Sequence, residues 1–140
     1  MHDVNGLFEG LGLQFVPKHR SLSGVLTDNE LAALGDAFVN FVYSLALSLR
    51  EGKPTGRKLS NLMLASALRK SGLRKLLPFR MDRHRQANAV EAVIVYAWLI
   101  GALSLREILQ VMSTSEDIEG ALEALLHEIV QKIGTPQPKT

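Results

Sequence analysis

The chain reads as an all-α protein, and three observations carry that reading. Leu31, Leu34, Phe38, Phe41, Leu45 and Leu49 recur at spacings of three and four, as one face of a long helix requires. Ile118, Leu122, Leu125, Ile129 and Ile133 repeat the pattern near the other end. Between them no alternation of period two is sustained; the β-branched run Val93 to Tyr96 lies between alanine-rich flanks in a helical context.

The elements follow in order. The first 25 residues, rich in glycine and interrupted by Pro17, are expected to form short turns or a small helix. Thr27 and Glu30 have the spacing of a capping box, in which hydroxyl and carboxylate satisfy the first free amides reciprocally. The helix it opens runs to about Arg50, ended by the EGKPTG segment of residues 51–56. A second helix is expected from Arg57 to Lys70, burying Leu59, Leu62, Met63 and Leu68, with Ser71 and Gly72 as its stop. Leu73 to Leu77 allows one short turn. A long helix from Arg83 or Gln86 to Gly101 is apolar nearly all round in its second half, as a central helix would be. Ser104 caps a short helix to about Met112, and Ser115 opens the last one.

With 140 residues, 46% of them hydrophobic, residues 1–140 form one domain able to bury a core without staples. The absence of cysteine excludes disulfides, thiol nucleophiles and thiolate metal sites, and fits a reducing cytoplasm. The first residues lack the basic-then-apolar pattern of a secretory signal. The apolar run Ala92 to Ile100 is too short to cross a bilayer, so no membrane role is expected. The tail 135–140 reads as frayed.

Net charge is +2, but it is unevenly spread. Residues 50–85 hold eleven basic and two acidic side chains, against two and five before them and three and seven after. Such a segment either solvates a helix face or forms a phosphate-binding surface. Lys53, Arg57, Lys58, Arg80, Arg83, His84 and Arg85 are its candidates for contact with a nucleic-acid backbone.

Two carboxylates stand apart. Asp36 is the sole charged residue between Leu31 and Leu49, and Glu91 the sole one between Gln86 and Leu105. An unpaired ionised carboxylate in apolar surroundings costs several kcal/mol, so each must be paired, hydrogen-bonded or bound to a cation. If their helices pack side by side the two could face each other, and carboxylate oxygens suit Mg²⁺. Alternatively each lies on a helix surface beside alanines, or pairs with a basic side chain. Asn40 shares a face with Asp36, and Asn88 precedes Glu91 by one turn. His2, His19, His84 and His127 show no metal-ligand spacing, no phosphate-binding loop is present, and Trp98 and Tyr96 fit a core or a subunit interface.

The stretch NELAALGDAFVNFVYS, Asn29 to Ser44, resembles the signature helix of the ribonuclease III family, whose core is L-x-x-L-G-D-A. NAVEAVI, Asn88 to Ile94, resembles that family's second acidic motif, and the KLSNL run at 58–62 with SGL at 71–73 resembles the connection between them. The likeness covers roughly residues 20–112. It implies a ribonuclease III-like endonuclease domain: all-helical, homodimeric, cutting double-stranded RNA with Mg²⁺, for which Mn²⁺ can substitute. Asp36 and Glu91 match the motif positions that hold the metal and carry catalysis, with Asn88 and Asn40 as supporting residues. Full-sized members have a further glutamate where this chain has Ala32 and an aspartate where it has Asn88. The compact Mini-ribonuclease III branch is similar in lacking both, and in lacking an appended double-stranded-RNA-binding domain. Ala33, Val90 and Val95 depart from that branch. The resemblance thus implies an endoribonuclease of RNA maturation, or a catalytically silent relative that binds RNA or ribosomes. A helical module for an acidic protein partner is a third reading.

Overall fold

A computed structural model describes residues 14–78, 80–115 and 117–134. Its elements are α1 (Leu22–Leu26), α2 (Asn29–Glu51), α3 (Asn61–Ser71), a 3₁₀ turn (Leu73–Leu76), α4 (Arg83–Leu99), α5 (Leu105–Ser113) and α6 (Ile118–Ile129), which runs into a π turn (Val130–Gly134). No strand occurs among the described residues. The expectations for residues 1–13, His2 included, and for the tail 135–140 lie outside them.

The centre is α4. Every residue from Ala89 to Tyr96 is buried, and the helix packs against α1, α2, α3 and α6. A helix enclosed on all sides needs no polar face, which is why its apolar residues run nearly all round. Val93 to Tyr96 lies within it as helix.

The α2 helix differs from the periodicity reading in which face it buries. The residues facing the core are Leu31, Ala32, Gly35, Val39, Val42 and Ala46. Leu34, Phe41 and Leu49 lie outward, 43%, 56% and 65% exposed. Small side chains let α2 and α4 approach closely. At Gly35 a Cβ would stand 2.1 Å from the Glu91 carbonyl oxygen and 2.5 Å from its carbon. The helix therefore has two apolar stripes, and the one made of smaller residues meets the nearer neighbour. By length and composition α2 could also cross a membrane; here its small-residue stripe serves α4.

The cap of α2 also moves. Asp28, not Thr27, accepts from Leu31 N at 2.9 Å, while the Thr27 hydroxyl donates back to Ser23 O at 2.9 Å. The carboxylate one residue later already satisfies the free amide. His19 Nε2 stands 2.8 Å from the other Asp28 oxygen and edge-on to Tyr96. Burial pushes the Asp28 carboxyl up, but the Leu31 amide and His19 more than offset it, and it titrates below its ordinary value. The full capping box is at Ser104, which accepts from Glu107 N at 3.1 Å and donates its own N–H to Glu107 at 2.8 Å.

The second helix begins at Asn61 rather than Arg57, because Ser60, itself extended, caps it through Met63 N and residues 54–60 have no regular secondary structure. It buries Leu64, Ala65, Ala67 and Leu68; Leu62 is exposed, Met63 is half-buried, and Leu59 is buried from the segment ahead of the helix. The last helix starts at Ile118, since Ser115 Oγ accepts from Asp117 N in the turn ahead of it. Leu122, Leu125 and Ile129 face inward, with Ile118 and Ile133 at the edge of the core.

Candidate functional site

The near contact at Gly35 has a direct result one residue on. Asp36 on α2 and Glu91 on α4 open into one cavity of about 330 Å³, lined also by Asn29, Ala32, Ala33, Lys58, Asn61, His84 and Asn88. The two carboxylates isolated in sequence thus sit together in space. Asp36 is exposed, whereas Glu91 is only 5% exposed.

Burial and the neighbouring Asp36 push the Glu91 carboxyl up to about 8, against a weaker opposite pull from Lys58. At neutral pH it therefore holds a proton, which Asp36 can accept in a hydrogen bond. The folded state binds that proton more tightly than the unfolded one, so stability is fully present below the ordinary value of 4.5 and is lost as pH rises toward 8. Glu91→Gln removes this dependence: urea denaturation of the cation-free protein should show a flatter fall in stability between pH 5 and 8 than wild type.

Asp36 is held by Asn40, one turn on. The Asn40 amide donates to the Asp36 carboxylate at 3.0 Å and to the Asp36 carbonyl at 2.8 Å. Its own oxygen accepts from Leu59 N at 2.7 Å. Both of its N–H donors and one acceptor lone pair are thereby spent between Asp36 and the segment that bears Lys58.

The basic candidates separate. Lys58 and His84 line the carboxylate cavity, and His84 Nδ1 lies 3.4 Å from the Asn61 amide. Arg85 lines a smaller cavity alongside, which shares Asn29, Ala32 and Asn88 with the first. Lys53, Arg57, Arg80 and Arg83 are exposed and line neither. Asn61 was not among the sequence candidates. Its signal was Ser60, whose capping role puts the next residue in the first turn of α3.

Among the described residues no group of three or more His, Asp or Glu side chains converges as a metal cage. What exists is a pair of carboxylates with carboxamides and cations at the rim. All-helical architecture with a carboxylate pair at the crossing of two central helices defines a recognisable class of domain. A family profile for ribonuclease III matches residues 29–135, and the chain belongs to the ribonuclease III family. That family is linked to nuclease chemistry on double-stranded RNA. No curated protein matches the chain.

Proposed function

We propose that the protein is an endoribonuclease that hydrolyses phosphodiester bonds in double-stranded RNA with Mg²⁺, or Mn²⁺ in its place, in the maturation of cytoplasmic RNA. The observation that carries this reading is the pairing of Asp36 with buried Glu91 in a cavity rimmed by Lys58 and His84. Family membership supplies the reaction class.

The donor set fits a hard divalent cation. Mg²⁺ needs only one or two protein carboxylates, completing its shell with water and substrate phosphate. Two carboxylates that oppose each other's ionisation would gain a common partner in such an ion, which would favour the ionised form of Glu91. Once bound, the ion would lower the pKa of water and stabilise charge on the phosphodiester. Asp36 and Glu91 would hold it, and Asn40 keeps the Asp36 carboxylate in one orientation. Water adds to phosphorus as the bond to the 3′ oxygen breaks, giving a 5′-phosphate and a 3′-hydroxyl. Lys58 and His84 would bind the backbone at the cavity, and Lys53, Arg57, Arg80, Arg83 and Arg85 would bind flanking phosphates, as duplex RNA is read through backbone and shape.

The outward stripe of α2 supports a homodimer. Leu34, Phe41 and Leu49 are exposed, and Phe38 stacks on Trp98 with ring centroids 4.8 Å apart. A second copy covering this stripe would present two cavities to a duplex. Phe41→Glu should give a monomer by light scattering on a sizing column where wild type is a dimer, with its helical content intact. Within the family, the LAALGDA run and the absence of acids at Ala32 and Asn88 favour a likeness to the compact Mini type.

The test is an end-labelled RNA duplex incubated with the protein and Mg²⁺, beside an EDTA control. Internal cuts that vanish with EDTA support the proposal. The carboxamide at Asn88 and the methyl at Ala32 favour a second reading, a silent RNA-binding module, and retarded but uncut duplex would establish it.

A further inference from the structure

The smaller cavity beside the carboxylates is lined by segments that the fold holds in place. One is the chain ahead of α4, where Pro78 O accepts from Arg74 Nη1 at 2.8 Å and Met81 O accepts from Gln86 Nε2 at 2.8 Å. Another is the entry to α2, where Asp28 accepts from Leu31 N at 2.9 Å and stands 2.8 Å from His19. The space is about 120 Å³, and Leu26, Pro78 and Met81 give it an apolar lining. Asn29, Ala32 and Asn88 line both this cavity and the carboxylate cavity, so the two adjoin. Among the described residues neither carboxamide has a hydrogen-bond partner within the protein.

Charge and lining select the occupant. Asp28 and Arg85 bring one charge of each sign, and Asp28, titrating below its ordinary value, is ionised at neutral pH. A phosphate would meet that carboxylate; a neutral group would not. Apolar side chains beside two free carboxamides suit a flat neutral group with donors and acceptors on its edge, which describes a nucleobase. A carboxamide offers a donor and an acceptor side by side, the combination that reads adenine in direct contacts. A base still paired in A-form RNA cannot enter, because it stays in the stack behind a groove too narrow for side chains. An unpaired nucleotide can turn its base into a recess while its phosphate stays over Asp36 and Glu91. Resting on the reading of duplex RNA as the substrate, we propose that the adjoining cavity receives one unpaired base, held by Asn29 and Asn88. The protein thereby selects duplexes with a bulged nucleotide beside the phosphodiester to be cut.

A short RNA duplex with one unpaired 2-aminopurine is the probe, beside the fully paired duplex and one with an abasic residue in the bulge. Affinities are read from end-label anisotropy in EDTA, so that no cleavage intervenes. The bulged duplex should bind about fivefold or more tightly than the paired one, as one carboxamide-to-base contact provides. The abasic bulge, equally bendable, should bind like the paired duplex. No aromatic side chain lines the cavity among the described residues, so 2-aminopurine, quenched by stacking on its neighbours, should brighten on binding. Asn29→Ala removes a base contact and Met81→Trp fills the space; each should abolish the preference for the bulge. The ratio of the two affinities compares two RNAs on one protein sample, so partial unfolding of a variant does not change it. Equal affinity for bulged and paired duplexes overturns the inference, as does an abasic bulge bound as tightly as the 2-aminopurine one. So does a preference that survives in both variants. Incubation with Mg²⁺ judges the nuclease reading separately. Bulge preference without cleavage sinks that reading and leaves the cavity's role standing; cleavage without bulge preference does the reverse.

Discussion

Asp36→Asn and Glu91→Gln should each lower duplex cleavage by at least about a thousandfold while leaving the fold intact. A bound divalent ion supplies several kcal/mol of charge stabilisation in the transition state, and each ~1.4 kcal/mol is tenfold in rate. The two variants reach that loss by different routes. Asp36→Asn keeps an oxygen that can accept the hydrogen bond from the Asn40 amide but removes the charge that helps hold the Glu91 proton, so Glu91 ionises at lower pH than in wild type. Glu91→Gln removes the buried ionisable group itself. Its protein should be at least as stable as wild type at pH 8, where wild-type Glu91 begins to carry an unfavourable buried charge. A variant that loses activity and gains stability marks a group retained for chemistry rather than for folding. Gel-based cleavage rates and urea denaturation at pH 6 and pH 8 measure both quantities. Cleavage that survives either substitution undiminished would remove that carboxylate from the mechanism.

Much of this was legible before the structure, and the reasons are specific. Asp36 and Glu91 were conspicuous because each is the lone charge in a long apolar helical stretch, and the fold brings the two to one cavity. The central position of α4 followed from its unbroken apolar surface. The inward face of α2 did not. Leucine and phenylalanine at intervals of three and four mark an apolar stripe but not what covers it. The buried stripe is instead built from Ala32, Gly35, Val39, Val42 and Ala46 with Leu31, residues whose small volume matters only once α4 lies against them. The start of α3 was misplaced for a related reason. Residues 57–60 can continue a helical pattern, but the ties from Ser44 and Asn40 and the Ser60 cap keep them out of the helix. The same ties bring Lys58 to the cavity, while the Ser60 cap puts Asn61 there. The basic segment was visible as a count, yet only Lys58 and His84 of its members line the carboxylate cavity.

Gly35→Ala should be the most destabilising single methyl that can be added to this protein's site, costing roughly 3 kcal/mol or more. The new Cβ would lie 2.1 Å from the Glu91 carbonyl oxygen and 2.5 Å from its carbon. Non-bonded heavy atoms settle near ~3.5 Å, so the helices must part by about 1 Å or more. The atoms in the way are backbone of a buried helix, which cannot swing aside as a side chain would. Total stabilities of domains this size run about 5–15 kcal/mol, so thermal denaturation should show a large drop in midpoint. The consequence for function is separate from the loss of stability. Widening the crossing of α2 and α4 moves Asp36 away from Glu91, because each sits at or beside the point of contact. At temperatures where the variant remains folded, the raised titration of Glu91 should therefore relax toward its ordinary range, and cleavage should fall with it. Gly56→Ala is the control. Its Cβ would meet nothing within 4 Å, and its backbone is not in the left-handed region. It should change stability by less than about 1 kcal/mol, in the stabilising direction, by restricting the unfolded chain. If Gly35→Ala proves as mild as Gly56→Ala, the close approach of α2 and α4 is not what sets the distance between the two carboxylates.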